Sequence, residues 1–126
     1  MSNRKQKNCG DDVSRCAGKK IVSLHMTDNC LNFEFEDRCS LQIWDSGAFC
    51  CEKRWMTSDD TLPYYIGAEF LDAEVRNGPA VPSEDEIHET KFLIIKTSLG
   101  VFTCVTHNEH NGYYGGFELT AKITHL

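Results

Sequence analysis

The sequence predicts an α+β domain built on a single, mainly antiparallel sheet of about six strands, with one or two short helices. Three observations lead there. Apolar and polar residues alternate with a period of two in several short runs, turn residues separate those runs, and one central segment breaks the period.

Residues 1–18 carry Arg4, Lys5, Lys7, Asp11, Asp12 and Arg15 with hardly an apolar side chain. Such a stretch cannot offset its ordering entropy by burial, so a loose arm is expected there, followed by one folded domain over 19–126. "KKIVSLHMTDNCLNFEFEDRCSLQIWD" gives three strands, at 21–26, 31–36 and 39–44, parted by "TDN" and "EDR". Leu31, Phe33 and Phe35 alternate with Asn32, Glu34 and Glu36, and Cys39, Leu41 and Ile43 alternate with Ser40, Gln42 and Trp44. That is a sheet with one wet face.

"SGAFCCEKRWMTSDDTLPYYIG" interrupts the alternation, so 49–56 is expected as a short helix or irregular turn. Thr57, Ser58 and Asp59 then offer caps for a second short turn toward Pro63. Alternation returns at 68–76, a strand. "NGPAVPSEDEIHE" holds two prolines, a glycine and a run of acids, the composition of an exposed loop. "TKFLIIKTSLGVFTCVTHNE" supplies two strands around "SLG", the first an unbroken apolar run expected at the centre of the sheet and covered on both faces. A last strand at about 116–124 follows a glycine-rich corner. One short helical layer covers little of such a sheet, which predicts a homo-oligomer that finishes its core against a second copy.

With 126 residues, the chain is long enough for one domain with a core that needs no staples. Its formal charge of −6 repels polyanions and excludes long nucleic acid as a partner, while a small anion remains within reach of one or two arginines and a few backbone N–H groups. The first twenty residues are polar, unlike a signal peptide, and no apolar run approaches the roughly 18 residues of a membrane span. A soluble, cytoplasmic protein is the expectation. Seven cysteines, an odd number in a reducing compartment, are expected as mostly free thiols.

Two segments are dense in chemistry. The first is "HNEHNGYYGG", 107–116. Gly112, Gly115 and Gly116 permit positive φ and close backbone approach, Tyr113 and Tyr114 supply flat faces for a base, and Asn111 offers a donor and an acceptor. The same residues also suit a plain hairpin corner. His107 and His110 stand as HxxH, but no CxxC accompanies them and no metal or other cofactor is expected. Cys104, three residues before His107, sits in an apolar strand and is expected as a core thiol, so no catalytic residue is assigned. The second segment is "CCEKRWMTSDD". Arg54 presents a planar fork to a phosphate, Trp55 stacks, and Thr57, Asp59 and Asp60 accept from ribose hydroxyls. On this reading Arg54→Ala abolishes ligand binding and leaves stability nearly unchanged.

"WDSGAFCCEKRW", then "IGAEFLDAEV", then "FLIIKTSLGVFTCVTHNEHNGYYGG" resemble, in order and spacing over about 20–123, a family of small phage and bacterial domains. The nearest likeness is to the phage Thoeris anti-defence sponges, which sequester cyclic ADP-ribose isomers made by host TIR-domain proteins. The resemblance implies an oligomeric binder, a hexamer assembled from dimers, that holds its signal between subunits without cleaving it and in some members takes cyclic trinucleotides at a separate site. Carried onto this chain, it implies binding through Arg54, Trp55, Thr57, Asp59, Asp60, His107 and 111–116. A signal-degrading enzyme using His107 or His110, and an inhibitor gripping a host defence enzyme through the acidic Glu84, Asp85 and Glu86, are the alternatives.

Overall fold

The computed structural model of the protein describes residues 10–47, 52–111 and 116–125. Its elements run α1 (Gly10–Arg15), β1 (Ile21–Thr27), β2 (Cys30–Phe35), β3 (Cys39–Asp45), β4 (Lys53–Thr57), a 3-10 helix (Leu62–Tyr65), β5 (Phe70–Pro82), β6 (Ile87–Thr97), β7 (Gly100–His110) and β8 (Leu119–His125). The fold is mainly β.

The strands divide into two four-stranded antiparallel sheets, ordered β1-β2-β3-β8 and β4-β7-β6-β5. This corrects the single six-stranded sheet. The expected meander is present, but the chain crosses over after Asp45, builds the second sheet, and returns with β8 to pair with β3 from Asp45↔Leu119 to Cys39↔His125. Each sheet turns its apolar face to the other. Leu31, Phe33, Phe35, Leu41 and Ile43 from the first join Met56, Phe70, Leu93, Ile95, Phe102 and Cys104 from the second in one buried cluster. The Phe33 and Phe70 rings meet edge to face across the layers at 5.3 Å. The second sheet thus supplies the cover for which a second subunit was invoked.

Three local expectations are corrected as well. The stretch read as a helix or irregular turn at 49–56 is a strand over Lys53–Thr57 that pairs with β7, and 48–51 lie outside the described residues. The loop expected at 77–89 is mostly strand, because β5 and β6 continue as a long hairpin that turns at 83–86; the prolines fit at an edge strand whose register shifts between Asn77 and Ala80. The arm is not loose from residue 10 onward. Val13 and Cys16 enter the core, Asp12 Oδ2 accepts a hydrogen bond from Ile123 N at 2.9 Å, and Gly18 N donates to Phe70 O at 2.7 Å, so α1 caps the sandwich. Residues 1–9 lie outside the described residues. β6 is central as expected, yet covered on one face: Leu93 and Ile95 are buried and the intervening Phe92 and Ile94 are half-buried.

Among the described residues, no helix is long and apolar enough to cross a membrane.

Phe33 is fully buried at the contact between the layers. Phe33→Ala should lower the unfolding free energy by about 3–5 kcal/mol in urea titrations; a loss under about 1 kcal/mol would mean that the two layers do not share this core.

Candidate functional site

Along four strands the inward face changes character from one end to the other. β3 presents Cys39, Leu41 and Ile43 and then Asp45; β7 presents Phe102 and Cys104 and then Thr106, Asn108 and His110. By the same alternation β4 carries Arg54 beyond Met56, preceded by Glu52, and β6 carries Lys91 and Glu89 ahead of Leu93. One end of the sandwich is apolar and the other is polar.

Arg54 organises the polar end. Its side chain is 7% exposed, between an Asp45 carboxylate at 0% and a Glu52 carboxylate at 1%. Nη1 donates to Asp45 Oδ2 at 2.6 Å, and Nη2 donates to Glu52 Oε1 and Oε2 at 3.0 and 3.2 Å. Desolvation pulls the guanidinium down, but the hydrogen bonds it donates to Asp45 and Glu52 outweigh that and hold Arg54 above its ordinary range. The remaining carboxylate oxygen of Asp45 accepts from Gly47 N and Glu118 N at 3.1 and 2.9 Å.

The same cluster holds the end of the glycine corner. Gly116 O accepts from Arg54 Nη1 at 3.1 Å and from Asn108 Nδ2 at 3.0 Å, while Gly116 N donates to Glu89 Oε1 at 2.7 Å. Glu89 Oε1 also lies 3.0 Å from His110 Nε2. Gly116 has φ +75°, so a side chain here would strain the backbone that these three bonds fix. Asn108 Oδ1 and Thr106 Oγ1 are buried beside this clasp without a hydrogen-bond partner among the described residues.

A cavity of about 370 Å³ opens against the clasp, lined by Asn77, Glu89, Thr90, Lys91, Gly116 and Phe117 among others. Lys91 Nζ stands 5.9 Å from the centre of the Phe117 ring. Gly78 lets β5 approach β6 closely in the cavity wall, because a Cβ there would meet Thr90 Oγ1 at 2.5 Å and Thr90 O at 3.0 Å. A wider depression of about 540 Å³ lies at the β1–β2 turn, lined by Thr27, Asp28, Asn29, Cys30 and Trp44, with one carboxylate and no cation in its wall.

The outer face of the second sheet carries a separate group. Trp55 and His107 are paired across β4 and β7 and stack at 4.8 Å with 2° between planes. His107 Nε2 lies 2.8 Å from Thr57 Oγ1 and its Nδ1 lies 2.9 Å from His88 Nε2. Burial pulls His107 below its ordinary value, and His88 adds to the shift.

The structure therefore sorts the sequence-derived residues as follows. Arg54 and Gly116 meet, within one chain; Trp55, Thr57 and His107 meet on the opposite face of the sheet, because neighbours in a strand point opposite ways. Asp59 is exposed, and Asp60 Oδ2 accepts from Thr103 N at 2.9 Å, stitching the turn after β4 to β7. Asn111 is exposed and engaged. Gly112, Tyr113, Tyr114 and Gly115 lie outside the described residues. His107 and His110, three apart on a strand, fall on opposite faces, and among the described residues no group of three His, Cys, Asp or Glu is placed to hold a metal ion. Asp45, Glu52, Lys91 and Asn108 were not singled out from the sequence, and Glu89, expected with Glu84, Asp85 and Glu86 in a solvated acidic loop, lies in β6 and binds Gly116 N and His110. A signal existed for Asp45: it is the inward position that follows Cys39, Leu41 and Ile43, a charge where the pattern calls for an apolar residue.

A family model described as a domain of unknown function, DUF7448, matches residues 14–119. The chain belongs to the DUF7448 family. No curated protein and no solved structure matches it. The matched span of the DUF7448 domain contains the Arg54 clasp, the corner and the Trp55 stack together, whereas His125 lies beyond it.

Two outcomes follow for this DUF7448 domain. Because removal of Arg54 strands two buried carboxylates, Arg54→Leu should cost about 3–5 kcal/mol of stability in urea unfolding, reversing the expectation that stability is unchanged; a cost below about 1 kcal/mol would remove the clasp from the fold's energetics. His107 should titrate below 6.5 by NMR. Since the unfolded chain then takes up this proton first, its contribution is fully present above 6.5 and declines as the pH falls below it; a midpoint at or above 6.5 contradicts the burial of the stack.

Proposed function

We propose that the protein is a non-catalytic sponge that captures small cyclic nucleotide signals of the cyclic ADP-ribose type, and that the cavity beside Gly116 is where it holds them. The observation that carries this reading is a cavity of about 370 Å³, lined by polar and apolar groups alike, whose wall includes a backbone fixed by three hydrogen bonds. Its size lies within the range of small-ligand sites. Lys91 offers a charge to a diphosphate, Asn77 offers a donor and an acceptor to ribose, Thr90, whose hydroxyl donates to Pro79 O, offers an acceptor, and the Phe117 ring offers a face to a base. A sponge needs tight holding, and a preorganised wall lowers the ordering cost of binding.

Arg54 does not serve as the phosphate clamp in this reading. Two carboxylates already neutralise it, so it acts by holding Gly116 in place. Trp55, Thr57 and His107 form a flat, half-exposed platform on the other face, separate from the cavity.

Chemistry on the signal is disfavoured by the histidines themselves. Both nitrogens of His107 are engaged, with Thr57 and His88, and His110 is tied to Glu89. Burial pushes the Cys104 thiol up to about 12, which removes it as a nucleophile. The assembly in this reading is a homo-oligomer, a dimer or a hexamer assembled from dimers, in the cytoplasm of an infected bacterium, as in the phage sponges that the sequence resembles. Tyr64, Leu99 and Val101, each at least half exposed at one end of the second sheet, offer apolar surface for the contact.

The test is incubation with cyclic ADP-ribose isomers made by a TIR-domain enzyme, removal of free ligand, heating, and mass spectrometry of the supernatant. Intact signal should return, and Lys91→Glu should weaken capture at least about tenfold, the direction expected when a charge contact is reversed. A new product would make the protein an enzyme, and no retained nucleotide would end the sponge reading.

A further inference from the structure

At the opposite end of β3 from the clasp, a cysteine is set among proton-handling groups that the reading above does not use. Cys39 begins β3 directly across from His125 on β8, and its sulfur lies 3.2 Å from His125 Nδ1. Lys19 Nζ stands 4.0 Å from the same sulfur. Asp37 orders the group from below: its Oδ1 accepts from Cys39 N at 3.0 Å and its Oδ2 binds the Lys19 ammonium. Cys39 is a free thiol, 3% exposed. Cys39 belongs to the buried cluster, and what covers its sulfur on the outer side is the exposed His125 and the side chains of Lys19 and Asp37, 25% and 44% exposed.

We propose that Cys39 is a reactive thiol, a covalent modification site for small disulfides and other soft electrophiles, with His125 as the group that takes its proton. A structural thiol needs no base. A nucleophilic one needs a base within hydrogen-bond reach, and His125 stands there; the Lys19 ammonium, although paired with Asp37, adds a cation 4.0 Å from the sulfur. With a disulfide, the S–H proton passes to His125 Nδ1, the Cys39 sulfur forms a bond to one sulfur of the reagent, and the reagent's S–S bond breaks. The departing thiolate then recovers the proton from His125. Cys39 ends oxidised in a mixed disulfide and one half of the reagent ends reduced to a thiol.

Three other described cysteines provide internal references. Burial pushes the thiol of Cys16 up to about 11 and that of Cys104 to about 12, and raises that of Cys30.

The experiment is brief exposure of the native full chain to oxidised glutathione, and separately to iodoacetamide, with peptide mapping by mass spectrometry. Cys39 should react about tenfold or more faster than Cys16, Cys30 and Cys104. His125→Ala should slow Cys39 about tenfold and added imidazole should restore the rate. His125→Gln keeps a polar partner for the sulfur but cannot take its proton, so it should be slow as well. Cys39 labelling no faster than Cys104, or full reactivity in His125→Gln, would overturn the proposal. Should either variant unfold, the wild-type ranking of the four cysteines decides alone.

Discussion

A guanidinium held between two carboxylates, out of water, is the constraint around which this fold is arranged. Transferring Arg54, Asp45 and Glu52 into the sandwich carries a desolvation cost of several kcal/mol for each charge, and that cost is met only when every donor and acceptor finds a partner. The surroundings supply them. Asp45 takes two backbone N–H groups in addition to Arg54, and Glu52 takes three contacts from the guanidinium and a fourth from Asn108. Because those partners come from β3, β4, β7 and the segment leading into β8, satisfying one ion cluster fixes the relative position of both sheets and of Gly116.

The consequence for function is a division of labour along the strands. Where the inward faces are apolar, the layers pack in the ordinary way, with Phe33, Phe35 and Phe70 in mutual ring contact. Where they are polar, hydrogen bonds replace packing, and a cavity lies beside them whose wall shares Glu89 and Gly116 with the clasp. A ligand entering there meets groups that are already oriented. The outer face of the second sheet is a different kind of surface, flat, aromatic and half open, and strand geometry keeps it apart from the cavity.

Much of the scaffold was legible in the sequence. β1, β2 and β3 announce themselves through strict alternation, and β6 and β7 through an apolar run folded around "SLG". What hid β4 was the clasp itself: Glu52 and Arg54 occupy inward positions where a strand pattern requires apolar residues, so the segment resembles a polar turn. The same cause hid half of the site. Arg54 and the glycine corner were recognisable as dense in chemistry, but the carboxylates that consume the arginine come from strand positions without any local motif, and only their placement in space gives them meaning. α1 was missed because two residues, Val13 and Cys16, anchor an otherwise polar stretch. The second sheet was missed because alternation reports that a strand has one dry face and says nothing of what covers it.

Amide hydrogen exchange at Gly116 and Glu118 tests the clasp most directly. Both N–H groups donate to carboxylates of the cluster, to Glu89 and to Asp45. If the charge cluster fixes the 116–118 segment, these two amides exchange with protection comparable to that of the central strand β7. Exchange at the rate of an unstructured peptide would show that this segment is not held, and the account built on a preorganised wall would fail with it.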